Sequence, residues 1–188
     1  MPSFLRLFRV SALALAIAGL TSCENKMEDI KELTARTTSV ERGIKIESFL
    51  SQGGKMKARL TAPLMNRYQA DSAYIEFPNR LHVDFYNDTA KVESELFAKY
   101  GRYKENERKV FLRDSVVIFN SKGDTIYCQE LWWDQQTEKF YTDKPVVVKQ
   151  PDRIWYGDEG MRASQNFNEW YLIKMHGVMK RPEDALLQ

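Results

Sequence analysis

The sequence predicts an all-β protein, an antiparallel sandwich, barrel or related roll, and three observations carry that expectation. From Gly43 onward, apolar and polar residues alternate in short runs bounded by turn residues, and no amphipathic run of helical length lies between them. Aromatic residues make up 12% of the chain, a share that pleated, half-buried surfaces favour. One pattern of apolar, small, apolar and aromatic positions also recurs through the chain. It is fullest at Ile126, Cys128, Leu131 and Trp133. Ile126 and Cys128 are two apart, as one strand face requires, but Leu131 is offset by an odd step. A bulge or corner between Cys128 and Leu131 keeps all four on one face of a bent strand. Leu96, Ala98, Gly101 and Tyr103 repeat the pattern, and Leu60, Ala62 and Met65 repeat its first three places. Trp155, Gly157 and Gly160 form a degenerate copy. The copies start 36, 30 and 29 residues apart, a spacing that marks a stacked architecture of about four repeats.

The chain opens on a targeting segment. Arg6 and Arg9 form a short basic region, and Val10 to Leu20 is an apolar stretch of 11 residues. That is too short for a comfortable spanning helix, which needs about 20 apolar residues, and it has the proportions of a secretory signal. Leu20-Thr21-Ser22-Cys23 then resembles the bacterial lipobox, in which the cysteine becomes the acylated first residue of the mature protein. Residues 1–22 are therefore expected to be a lipoprotein signal peptide and Cys23 the lipidation site. Two or three acyl chains, at about 0.8 kcal/mol per buried CH₂, hold a protein on a bilayer without a spanning helix. Removing Arg6 and Arg9 leaves 26 basic against 26 acidic residues, so the formal charge of +2 belongs to the signal. Nothing in that balance argues for nucleic acid. With Cys23 acylated, Cys128 has no disulfide partner, and its place at a small repeat position points to packing.

Residues 23–42 carry charges of both signs around Thr37-Thr38-Ser39, with too few apolar residues for a packed element, and are expected to form a tether. Residues 43–179 hold the β domain. Ile44 and Ile46 alternate with Lys45 and Glu47, Gln52-Gly53-Gly54 turns the chain, and Met56, Ala58, Leu60 and Ala62 alternate with basic and polar residues. Pro63 ends the pairing or marks an edge, because it has no N–H for the ladder. Pro78-Asn79 separates Tyr74–Phe77 from the alternating Leu81, Val83 and Phe85. Val110 to Phe119 is a β-branched run around Asp114, and Phe140 to Lys149 repeats it at an offset of 29, so that Asp143 matches Asp114 and Val146 matches Val117. After Trp155 to Ala163 comes a last strand, Tyr171 to Val178. Residues 180–188 form a polar tail.

Little here suggests chemistry. His82 and His176 are the only histidines and have no Cys or His at metal spacing, so they are placed on strand surfaces; no metal site and no cofactor are expected. Asp114, Asp143 and Asp158 recur near turns, where turn geometry accounts for them better than paired acid–base work. No Gly-rich phosphate loop and no nucleophile elbow are present. Trp132, Trp133, Trp155 and Trp170 suit core and cross-strand pairs as well as a sugar or lipid site.

Several runs together resemble a known family. They are Asn120 to Ile126, Leu131 to Asp134, Phe140 to Asp143, Val146 to Val148, Gly157 to Gly160 and Phe167 to Trp170, with Ile173 and Gly177. This set is similar to the LptC family of lipopolysaccharide-export periplasmic proteins, most of all in its Bacteroidetes-type form. The resemblance covers about Gly43 to Val178 and is most specific from Asn120 onward. It implies an open antiparallel roll, or jellyroll, of two facing twisted sheets with a greasy interior, and relatives such as the bridge protein LptA share the repeat. It also implies a non-enzymatic job: taking lipopolysaccharide from an inner-membrane ABC transporter and passing it to an LptA-like periplasmic bridge protein. Unpaired strand edges suit such docking, and an apolar groove suits acyl chains. The enterobacterial members are held by a spanning helix; this chain is expected to use a lipid on Cys23, in the periplasm of a Gram-negative bacterium, with the inner membrane favoured.

On this reading the groove is lined by Leu60, Ala62, Leu96, Ala98, Ile126, Cys128, Leu131, Trp155 and Gly157, with Leu81, Val83, Phe85, Val117 and Val146 from the partner strands. Ile44 and Ile46 mark the transporter-side edge, and Leu172, Ile173 and Gly177 the bridge-side edge. Two alternatives stay open: a structural adaptor that joins sheet edges and holds no lipid, and a polysaccharide-active enzyme.

Overall fold

The computed structural model describes residues 40–69 and 72–179, so the signal segment, Cys23, most of the tether and the tail lie outside the described residues. Every element among the described residues is a strand. In chain order they are β1 (Val40–Gln52), β2 (Lys55–Tyr68), β3 (Tyr74–Phe77), β4 (Leu81–Tyr86), β5 (Val92–Ala98), β6 (Tyr100–Lys104) and β7 (Lys109–Asn120). There follow β8 (Thr125–Asp134), β9 (Lys139–Thr142), β10 (Val146–Lys149), β11 (Arg153–Gly157), β12 (Met161–Ser164), β13 (Trp170–Leu172) and β14 (Met175–Met179). Their pairs are antiparallel and link all fourteen into one sheet that folds back on itself.

The folding back comes from the long strands, each of which serves two half-sheets. β2 pairs with β4 through Ala58–Thr61 and with β3 through Asn66–Tyr68. β7 pairs with β6 in its first half and with β5 in its second. β8 pairs with β10 through Thr125–Cys128 and with β9 through Trp132–Asp134. The first half-sheet therefore runs β1, β2, β4, β5, β7, β8, β10, β11, β14, and the second runs β1, β2, β3, β6, β7, β8, β9, β12, β13. The two face each other across the core: the Phe85 ring on β4 meets the Phe140 ring on β9 edge-on at 5.7 Å. This is the open antiparallel roll that the sequence predicts.

The repeat is the sequence of the corners. Each copy places two residues between an inward residue of the first half-sheet and an inward residue of the second. The pairs are Ala62 and Met65, Ala98 and Gly101, Cys128 and Leu131, and Gly157 and Gly160; each of the eight is buried except the half-buried Met65. Side chains alternate along a strand, so two intervening residues would put the flanks on opposite faces; a bend there returns both to the interior. Strands running the other way use three intervening residues, between Phe77 and Leu81, Leu112 and Val116, and Thr142 and Val146, and keep their parity. Arg80, Asp114 and Ser115 in those corners have positive φ of 62°, 63° and 61°. The ladder between β7 and β8 shifts register there, between Arg113 and Val116. Asp114, Asp143 and Asp158 all lie in corners, as turn chemistry requires. Gly160 has φ of 113°, and a Cβ there would stand 2.0 Å from the Thr142 carbonyl oxygen, so the last copy needs glycine.

Four expectations need correction. β1 begins at Val40, before Gly43. Pro63 does not end β2; it occupies the corner, opposite a break in the ladder where Lys45 has φ of 53°. The last strand is two: β13 pairs with β12 in one half-sheet, β14 pairs with β11 in the other, and Ile173-Lys174 is the corner between them. The second internal match has an offset of 30, because Val116 and Val146 both lie opposite Cys128. Val117 consequently points out of the roll, between Phe97 and Tyr127 on neighbouring strands.

Candidate functional site

The interior is packed at one end and open at the other. In the C-terminal half, Ile126, Cys128, Leu131, Val146, Val148, Met161 and Phe167 are all buried, and the Phe167 ring lies tilted against Phe140 at 4.4 Å. In the N-terminal half a groove of about 310 Å³ lies between the half-sheets. That volume is at the lower end of ligand pockets, roughly 300–1,000 Å³. Its first wall carries Leu60 on β2, Leu81, Val83 and Phe85 on β4, and Leu96 on β5. Its second wall carries Ile75, Tyr103, Val110 and Trp133, and β1 adds Ile46 and Leu50 along the side. Gly101 lets the second half-sheet approach Leu81 closely, since a Cβ there would stand 2.5 Å from Leu81 Cδ2. The lining is almost wholly apolar; its polar groups are Ser48, Gln135 and the Tyr103 hydroxyl, and the last donates to Gln135. Near this groove, Gln52 at the end of β1 donates to Glu138 in the β8–β9 turn, both lining an adjoining pocket with Leu50, Trp133 and Gln135.

The expected lining residues thus divide. Leu60, Leu81, Val83, Phe85 and Leu96 face the groove. Ala62 and Ala98 are buried beside the corner, at the edge of a second, wider cleft that also reaches Leu81 and Lys99. Ile126, Cys128, Leu131, Val146 and Gly157 belong to the packed half, and Trp155 is half-buried against it. Val117 is outside. Sequence reasoning missed Met65, Ile75, Val110 and Trp133 as groove residues, although Met65 and Trp133 occupy late positions of the repeat pattern and could have been read from it.

Both ends of the sheet are open. β1 pairs with β2 alone, and Ile44 is 72% exposed while Ile46 turns toward the groove. At the far end β14 pairs with β11 alone, and all five of its residues are exposed, Val178 and Met179 among them. Gly177 lies opposite Trp155 and leaves room for its indole. Leu172 packs against the core, and Ile173 donates its backbone N–H to the Gly160 carbonyl in the corner.

A buried carboxylate braces that end. Asp124 follows the Gly123 turn and is 4% exposed. It accepts from Gln150 Nε2 at 2.7 Å, Asn120 Nδ2 at 3.0 Å and Trp170 Nε1 at 3.0 Å. Burial pushes its carboxyl up, but the Gln150, Asn120 and Trp170 donors outweigh that and hold it below the ordinary value. Gln150 also accepts from Trp155 Nε1 at 2.9 Å, and Asn120 Nδ2 donates to the Phe167 carbonyl. Burial pushes the Cys128 thiol up to about 12, so it is a packing group and not a nucleophile.

The chain matches the family model described as lipopolysaccharide-assembly, LptC-related, over residues 11–167. The match ends before β13. No curated protein matches the chain.

Proposed function

We propose a specific task for this chain, which belongs to the lipopolysaccharide-assembly, LptC-related family and so to the lipopolysaccharide transport system of the Gram-negative envelope. It is a non-enzymatic link that receives lipopolysaccharide from an inner-membrane ABC transporter and hands it to an LptA-like bridge protein. The observation that carries this reading is the apolar groove between the half-sheets, bounded along one side by β1, whose far edge is unpaired. Each CH₂ taken from water there contributes about 0.8 kcal/mol, so part of one acyl tail gives useful affinity. β1 is the transporter-side edge and β14 the bridge-side edge, each able to accept another strand. Movement draws on ATP hydrolysis in the transporter, and a lipid on Cys23 keeps the domain at the inner membrane.

The packed C-terminal half favours a second reading, an adaptor that joins sheet edges and holds no lipid. A photo-crosslinking side chain at Leu60, Met65 or Val83 separates the two, with exposed Gln129 and Lys149 as controls. The transfer reading requires crosslinks to lipopolysaccharide from the groove set alone, and only in cells with a working transporter. Equal labelling of both sets, or none from either, leaves the adaptor.

A further inference from the structure

On the outer face of the first half-sheet three side chains converge behind the groove wall. His82 and Asp84 are two apart on β4 and so share a face. Glu95 on β5 stands directly opposite Asp84 in the ladder. His82 Nε2 lies 3.2 Å from Glu95 Oε2 and 3.3 Å from Asp84 Oδ1, and the three ligand atoms are within 4.8 Å of one another.

Protein groups alone leave this arrangement unbalanced. Like charges directly opposite one another destabilise a strand pair, and Asp84 is only 3% exposed. Arg59 answers Asp84, but Nε and Nη2 both donate to Oδ2, at 3.0 and 2.8 Å, which leaves Oδ1 turned to the imidazole. Among the described residues no Lys or Arg forms an ion pair with Glu95; its partner is His82. The imidazole cannot serve both carboxylates well, because Nε2 carries either one hydrogen or one lone pair. A cation at the centre gives all three atoms a partner.

The surroundings are those of a built site. The His82 ring stacks on Phe97 at 4.3 Å and 14°, which fixes its direction. Arg59 fixes the Asp84 carboxylate from behind, as outer partners orient metal ligands. Bonds of about 2.0–2.2 Å at a tetrahedral zinc separate neighbouring ligand atoms by roughly 3.3–3.6 Å. The two distances to Nε2 are already near that spacing. Glu95 and His82 are exposed enough for an ion to enter from solvent, with side-chain exposures of 45% and 28%.

We propose that His82 Nε2, Asp84 Oδ1 and Glu95 Oε2 form a divalent transition-metal site of the zinc class, with its fourth position left to water. One nitrogen and two carboxylate oxygens with an open position suit Zn²⁺. The ion clips β4 to β5 on the back of the wall whose other side carries Val83 and Leu96. The site does not depend on the groove holding lipid.

The full chain titrated calorimetrically with Zn²⁺ alone should take up one equivalent at this site, and Co²⁺ in its place should give the visible bands of a four-coordinate N,O centre. Glu95→Gln, which alters a half-exposed side chain and leaves the core alone, should weaken uptake about hundredfold or more, beyond the 10–100-fold typical of outer partners. His82→Ala should do the same, while His176→Ala, the other histidine, should bind like the parent. Both cysteines remain in every variant, so uptake by thiols would survive these changes. Absence of saturable uptake by the parent, or uptake by Glu95→Gln and His82→Ala as tight as the parent's, overturns the proposal.

Discussion

Replacing Gly177 with alanine should release β14 from the end of the first half-sheet and leave the rest of the roll in place. A Cβ at Gly177 would stand 2.3 Å from Trp155 Cε3, 2.7 Å from Cζ3 and 2.9 Å from the Ile154 carbonyl oxygen. The carbonyl belongs to the backbone of β11 and has little freedom to move. The indole can turn only by giving up its donation to Gln150, which in turn holds Asp124. Overpacking of this kind costs about 1–3 kcal/mol. The lost hydrogen bond adds about 0.5–1.5 kcal/mol. Detaching β14 relieves both, and that strand has one neighbour and no buried residue. Local opening is then easier than global unfolding. At 1.4 kcal/mol per decade, a cost of about 2–4 kcal/mol corresponds to roughly thirty- to several-hundred-fold faster amide exchange in β14. Hydrogen exchange read residue by residue is the assay, with β7 and β8 as internal reference. Parent-like protection of β14 would refute the steric reasoning. An equal loss of protection in β7 and β8 would show that the glycine supports the whole fold and not one edge.

Asp124→Ala removes the shared acceptor of one buried and two half-buried neutral donors and should cost about 1.5–3 kcal/mol, the scale of hydrogen bonds to a charged group, read as a fall in the urea midpoint. The depressed carboxyl also fixes a pH dependence: its contribution is present above the unfolded value of about 3.9 and is lost as pH falls through the lower folded value. The gap between parent and Asp124→Asn should therefore narrow in that acid range, and a gap that stays constant down to pH 2 counts against the account. Cys128, with its thiol raised to about 12, should resist iodoacetamide at pH 8 in the native protein and react on unfolding; modification at the rate of a free thiol would contradict its burial. Cys23→Ser should release the protein from membranes, and sedimentation with membranes like that of the parent, without an acyl mass on the parent's N-terminus, would rule out the lipid anchor.

Much of the roll was legible because its corners are written in residue size. The Cys128 to Leu131 offset signals a bent strand by itself, and the bend is where β8 leaves one half-sheet for the other. The return corners were not legible. Their three-residue spacing keeps an ordinary alternation, so nothing in the sequence separates a straight run through Asp114 from a bend with two positive-φ residues. That is why the second repeat was set one residue off and Val117 was turned inward. The groove was only half visible for a related reason. Alternation tells which side chains face the interior, but whether that interior is filled depends on the opposite half-sheet. Leu96 and Ile126 hold equivalent repeat positions, yet one borders open space and the other meets solid packing. The His82, Asp84 and Glu95 cluster escaped because its signal is a His-x-Asp on one strand and a carboxylate 13 residues from His82 that only the β4–β5 register brings opposite.

Phe167, beside the groove, and the β14 edge share one support. Phe167 comes from the turn between β12 and β13 and packs against Phe85 and Phe140, two residues that line the groove. Its carbonyl accepts from Asn120 Nδ2, whose other acceptor is Asp124. Asp124 also holds Trp170 at the start of β13 and, through Gln150, the Trp155 indole that packs on Gly177. One carboxylate thus braces Phe167 beside the groove and, through the Trp155 indole, the edge strand β14. The path from Trp155 to Phe167 runs through three side chains, Gln150, Asp124 and Asn120. If that chain of hydrogen bonds couples the two, a double-mutant cycle between Gly177→Ala and Phe167→Leu should show an interaction energy, and strict additivity would mean that the edge and Phe167 are independent.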